Sequence, residues 1–212
     1  MVAVFDPKRC AHVGGNLWRG NLPLNSNRDF AFDELVAVLG IESHDPFVDV
    51  SVIDNVAGSE RDVWLKEMEA FAIDVDAEWP QNRPDIPPQF NQTAPPWKPN
   101  KMRGVLNNAS LVWWQIEGGD NPTVLGPSSA SYNFIGFIEY VAWMNTLGAP
   151  IYVHCMNGTD RTGATVAAFA MRALGYSLKD AFELADSVPA AGTMNRDYVK
   201  LVKAYAREKG FK

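Results

Sequence analysis

The sequence predicts an α/β fold: a central, mostly parallel, twisted sheet flanked by helices. Three observations carry that prediction. Short apolar runs rich in β-branched residues alternate with segments whose apolar residues fall at helical spacing, the order that builds parallel sheets with helices on their faces. The candidate helices stop at glycines, near Gly40, Gly148 and Gly175, as left-handed C-terminal residues require. The 212 residues are 47% hydrophobic and 21% charged, a composition that suits one globular domain with a sizeable core. The chain, 1–212, therefore reads as a single domain, and it contains no internal repeat.

Leu17 and Trp18 lead a short strand into the Gly20-Asn21-Leu22-Pro23 turn. Phe30 to Leu39 has helical apolar spacing, and Phe47 to Ile53 is a compact run suited to a buried strand. Ser59, with Asp62 three residues on, predicts an N-cap and a helix to about Phe71. The pattern then breaks: seven of the 14 prolines lie between Pro80 and Pro99, a density that no regular element tolerates. That excursion reads either as an ordered surface segment or as a substrate-side flap.

Regularity returns with a strand over Leu111 to Ile116, whose adjacent Trp113 and Trp114 place one ring in the core and the other outward, towards the site. It is closed by Gly118-Gly119-Asp120-Asn121-Pro122. Phe134 to about Gly148 reads as a helix and Pro150 to His154 as a strand. Helices follow from about Arg161 to Leu174, from a Ser177 cap to about Ser187, and from Asp197 to about Lys209.

The net charge of −6 and a pI near 5.1 give no global positive field for nucleic acid or an anionic membrane. Any anionic ligand must be captured by local geometry. Two cysteines, Cys10 and Cys155, make no disulfide framework, and no apolar run reaches membrane-spanning length. The expectation is a soluble cytoplasmic protein without stable membrane insertion. Cys10 and His12 lack a second Cys/His pair and read as an incidental surface segment rather than a metal site.

The chemistry concentrates after the strand that ends at His154. Strand, glycine-containing loop and helix together aim backbone N–H groups and the positive end of a helix dipole at one spot, which suits a phosphate dianion. The loop runs Cys155-Met156-Asn157-Gly158-Thr159-Asp160-Arg161-Thr162-Gly163. It has neither the Gly-Lys-Ser/Thr of an ATP loop nor a dinucleotide fingerprint. A thiol at a helix N-terminus beside cations is acidified into a nucleophile. An arginine six positions later can hold two phosphoryl oxygens with its planar fork. Gly158 lets the loop turn tightly, Thr162 can donate its hydroxyl to the sulfur, and His154 can fix the loop from behind. Arg19 reads as structural.

The run His154-Cys155-x-x-Gly158-x-Asp160-Arg161-Thr162-Gly163 resembles the signature loop of the cysteine-based protein tyrosine phosphatase superfamily, and Leu17-Trp18-Arg19-Gly20 resembles the first strand of its dual-specificity members. The resemblance implies a tyrosine-phosphatase-like fold and a cysteinyl-phosphate intermediate formed without a metal or other cofactor. It implies Cys155 as nucleophile, Arg161 as transition-state clamp, and Met156, Asn157, Gly158, Thr159, Asp160 and Thr162 as the phosphate cradle supported by His154. It further implies a general-acid aspartate on a separate loop, and Asp120, 35 residues before the cysteine, has that placement. Asp160 competes for the role, because an Asp-Arg-Thr run resembles lipid-directed members.

The expected substrate is a phosphorylated protein or small phosphoester, with phosphotyrosine favoured and phosphoserine or phosphothreonine secondary. No lysine sits inside the loop to neutralise the extra phosphates of an inositol lipid. A phosphoinositide phosphatase, an RNA 5′-triphosphatase and a silent phosphate-binding module are the alternatives.

Overall fold

The computed structural model describes residues 4–53, 59–72, 105–116 and 133–212. The strands are β1 (Ala11–Gly14), β2 (Leu17–Asn21), β3 (Val48–Ser51), β4 (Val105–Leu106), β5 (Ala109–Trp113) and β6 (Ile151–Cys155). The helices are α1 (Phe32–Leu39), α2 (Ser59–Ala70), α3 (Phe134–Met144), α4 (Asp160–Leu174), α5 (Leu178–Ala185) and α6 (Arg196–Lys209). The described strands form one sheet in the order β1-β2-β6-β3-β5-β4. Its four central strands run parallel, and the short strands β1 and β4 close the two edges antiparallel. The predicted α/β class and mostly parallel sheet are what the chain forms.

Both faces of the sheet are covered, and this explains why β6 is buried at every position and reads as an unbroken apolar run rather than an alternating one. On one face Leu17, Val50, Val112 and Val153 pack with Phe137, Phe169 and Tyr205. On the other Leu111 and Tyr152 pack with Leu35 of α1 and with Trp64 and Met68 of α2. Helix α4 is buried from Thr162 to Met171, and its small residues, Ala164, Ala167, Ala168 and Ala170, let it lie close to the sheet. The predicted stop positions Gly40, Gly148 and Gly175 have φ of 67°, 87° and 75°, the left-handed conformation a helix C-terminus favours.

Two expectations need correction. Trp113 and Trp114 do point to opposite faces, but neither looks outward. Trp113 packs on Trp64 and donates its indole N–H to the Ile53 carbonyl at 2.8 Å, while Trp114 packs on Phe137. A strand with helices on both sides has no solvent face to offer. The Cys10–His12 stretch does lie at the surface, but it carries regular structure the sequence did not predict: a 3-10 turn over Pro7–Arg9 leads into edge strand β1. Only Val13 of β1 is buried, so the strand carries no apolar alternation to read. The proline-rich excursion and Asp120 lie outside the described residues.

Candidate active site

Strand β6 is central, and it delivers Cys155 at its C-terminal end between parallel neighbours β2 and β3. The crevice beyond the carboxyl ends of parallel strands is where α/β folds bind ligands. Between β6 and α4 the loop turns its carbonyls outward. The Met156 carbonyl accepts from the Leu22 N–H at 3.3 Å, that of Asn157 from Arg9 Nη1 at 2.8 Å, that of Gly158 from Arg19 Nη2 at 2.6 Å and that of Thr159 from the Gly163 N–H at 2.8 Å. In a planar trans peptide the next residue's N–H points the opposite way. The N–H groups of residues 157–160 are therefore left aimed into the loop, as an anion cradle at a helix N-terminus requires. Gly158 sits at φ 70°, and a Cβ there would lie 2.6 Å from the Gly20 carbonyl oxygen. No other residue fits this turn.

Cys155 is 3% exposed. Burial pushes its thiol up, but the Arg161 guanidinium, the Thr162 hydroxyl and the backbone N–H groups of Thr162 and Asn157 together bring it below the ordinary thiol range. Among the described residues the buried Thr162 hydroxyl has no other hydrogen-bond partner, which leaves it to donate to the sulfur. Arg161 is held by a residue the sequence did not single out. Its Nη1 and Nη2 donate to the two carboxylate oxygens of Glu60, at 2.8 and 2.6 Å. A guanidinium has five N–H donors, so among the described residues this fork leaves three for a phosphoryl group. Tyr198 of α6 completes the surroundings: burial, offset in part by Arg161 and reinforced by Cys155, pushes its phenol up to about 12.

Behind the loop, His154 is fully buried, with Nε2 2.7 Å from Glu67 Oε1 and 3.1 Å from Asp49 Oδ1. Arg19 proves structural as expected, bridging the carbonyls of Gly158 and Ala185 beneath the loop. Asp160 uses a carboxylate oxygen to accept the Asn195 N–H at 2.7 Å, which ties it to the start of α6. Cys10 faces Tyr152 Oη at 3.5 Å.

The signature residues His154 through Thr162 thus span the end of β6, the loop and the first turn of α4. A scan against protein-family models found no match, and no curated protein matches either. Solved structures do match. The active form of Tk-PTP superposes with a TM-score of 0.51 at 14% identity, covering 94% of this chain and 97% of that one. PTPMT1 in complex with PI(5)P gives 0.53 at 12% identity, covering 94% and 96%, and human DUSP28 gives 0.50 at 16%, covering 98% and 99%. The chain has the fold of the cysteine-based tyrosine phosphatases, in its dual-specificity form. Within this phosphatase fold, Glu60, Asp49 and Glu67 were not foreseen. Glu60 has the sequence signature of an acidic residue in a first helical turn, and Asp49 that of a polar interruption in the Val48-Asp49-Val50 strand. The seven-residue spacing of Glu60 and Glu67 was the one available signal that both serve one face of α2.

Proposed function

We propose that the protein is a phosphomonoester hydrolase that works through a cysteinyl-phosphate intermediate, with phosphotyrosine-containing proteins as its substrates. The single observation that carries this reading is the acidified Cys155 thiol facing a cradle of loop N–H groups with Arg161 locked in place by Glu60.

In the first step the Cys155 thiolate attacks phosphorus, the bond from phosphorus to the ester oxygen breaks, and the Asp120 carboxyl gives its proton to that leaving oxygen. The loop N–H groups and the free donors of Arg161 hold the three equatorial oxygens as charge redistributes. In the second step water attacks phosphorus, the Asp120 carboxylate takes a proton from it, and the Cys155–phosphate bond breaks to release inorganic phosphate and the thiolate. No metal or other cofactor enters the proposed steps.

Asp120 is assigned as the acid because Asp160 is engaged by the Asn195 N–H. The loop's lack of lysine supports a single phosphate over a polyphosphorylated lipid. Among the described residues no helix is long and apolar enough to cross a membrane. The test compares kcat/KM for a phosphotyrosine peptide, a phosphothreonine peptide, a series of phosphoinositides and a triphosphate-ended RNA at one ionic strength. The phosphotyrosine peptide is expected to lead, and a tenfold preference for any other substrate, about 1.4 kcal/mol, overturns the assignment.

A further inference from the structure

The proposed chemistry leaves two fully buried carboxylates without a task. Asp49 on β3 and Glu67 on α2 are both 0% exposed, in contact with an equally buried His154. Glu67 also accepts the Ser51 hydroxyl at 2.6 Å, and Tyr152 stacks on the imidazole at 5.6 Å between ring centres. An apolar trio of the same volume would fill this space without the desolvation cost that buried charges carry. What the carboxylates hold is the residue immediately before the nucleophile.

Helix α2 adds the second half of the argument. Glu60 grips Arg161 and Glu67 grips His154, and residues seven apart lie on one face of a helix, about 10 Å from each other along its axis. One rigid element therefore touches the phosphate loop at both ends, just before the cysteine and at the arginine.

We propose that Glu67 and Asp49 are positioning residues for the phosphate loop: they fix His154 so that α2, through Glu67 and Glu60, sets the two ends of the loop in register. This rests on the loop being the catalytic site. Both contacts are ion-pair approaches to the same nitrogen, Nε2, and among the described residues Nδ1 has no hydrogen-bond partner. Burial pushes the His154 ring down, but Glu67 and Asp49 push it well above the usual histidine range. The facing groups are Asp49 and Ser51 from β3, Glu67 from α2 and Tyr152 from β6 itself.

The experiment uses the full chain and the isosteric changes Glu67→Gln and Asp49→Asn, with Ser51→Ala as a milder variant that removes one partner of Glu67. Three quantities are read: kcat and KM for p-nitrophenyl phosphate, the pH midpoint of Cys155 alkylation by iodoacetamide, and the metal content of the purified protein. Each isosteric variant is expected to lose about tenfold or more in kcat with KM little changed, and its alkylation midpoint is expected to move up as the loop donors lose their aim. The effect of Glu67→Gln should vanish in a His154→Asn background. Variants with wild-type kcat and wild-type alkylation midpoint, whatever their melting temperature, overturn the proposal. So does stoichiometric zinc or manganese in the wild type that the variants lose, since the three side chains would then be ligands. A wild type that hydrolyses no phosphoester defeats the phosphatase reading alone, because the alkylation midpoint still decides the positioning role.

Discussion

Glu60 and Arg161 face each other through two hydrogen bonds, 2.6 and 2.8 Å long, across 101 residues of sequence. The pair is partly shielded, with the arginine side chain 12% and the glutamate 33% exposed. Under the proposed chemistry this pair would keep the guanidinium plane facing the cradle before any phosphate arrives, so that no rotamer has to be found when substrate binds.

Glu60→Gln keeps the shape of that fork and removes its charge. Breaking a wholly buried pair costs about 3–5 kcal/mol, and partial exposure reduces that here. The expected outcome is a kcat/KM lower by about tenfold or more on p-nitrophenyl phosphate with little loss of melting temperature. Steady-state kinetics beside thermal unfolding checks it, and unchanged kcat/KM contradicts the locking role.

Cys155→Ser should abolish turnover while leaving fold and phosphate binding in place, because a hydroxyl at this spot stays protonated where the thiol ionises. Arg161→Lys should lose most activity, since an ammonium cannot make a fork to Glu60 and a fork to phosphate together. Vanadate should compete with substrate. Phosphate release, unfolding and vanadate competition are measured on the same preparations, and substantial turnover by Cys155→Ser removes the nucleophile assignment.

The two cysteines should separate in pH. Burial raises the Cys10 thiol, and the Tyr152 hydrogen bond only partly opposes it. For Cys155 burial acts the same way but Arg161 and Thr162 win. Iodoacetamide labelling followed by peptide mass mapping should show Cys155 reacting from a lower pH than Cys10, and the reverse order contradicts the acidified site.

How much of this was legible in the sequence follows from the range of each interaction. His154 to Gly163 could be read because the cradle is local: strand end, glycine turn and helix start are contiguous, and each residue's chemistry names its job. The parallel sheet was legible because burial on both faces writes itself as apolar runs. The same two-sided burial hid the fate of Trp113 and Trp114, since a tryptophan in such a strand looks alike whether it faces a helix or a ligand. Glu60, Asp49 and Glu67 were hidden for a different reason. A carboxylate in a first helical turn or inside a strand has an ordinary local explanation, and only the tertiary fold brings Glu60 to Arg161 and Asp49 to His154. Edge strand β1 left no trace because only Val13 of it is buried.

The two candidate acids should part on leaving-group dependence. Asp160→Asn loses the charged acceptor of the Asn195 N–H, so it should cost about 1 kcal/mol of stability and leave the ratio of rates on alkyl and aryl phosphates near wild type. Asp120→Asn should lower kcat on alkyl phosphates by about 10² to 10⁴ and much less on p-nitrophenyl phosphate, whose leaving group needs no proton. If Asp160→Asn shows that split and Asp120→Asn does not, the acid lies in the signature loop.

The buried carboxyl of Asp49 should make stability fall with pH over a defined window. Burial raises it from 3.8 to about 6, against the opposing pull of His154. A carboxyl whose pKa is higher in the folded state binds its proton more firmly there than in the unfolded chain. Its contribution is therefore fully present below about pH 4 and is lost as pH rises through about 6, after which it stays constant. Most carboxylates have the opposite sign, so the absolute melting curve is not the readout. The readout is the difference between Asp49→Asn and wild type, since the amide does not titrate. Thermal unfolding of both proteins from about pH 4 to pH 6.5 should show the variant gaining on the wild type across that window. Above about pH 6.5 the difference also carries His154, whose raised pKa makes its contribution fall from the unfolded histidine value upward and which loses one of its two carboxylate neighbours in the variant, so the window ends there. A difference that is flat across the whole range means that Asp49 keeps an ordinary carboxylate pKa inside the fold, and that the His154 contact compensates fully for its burial.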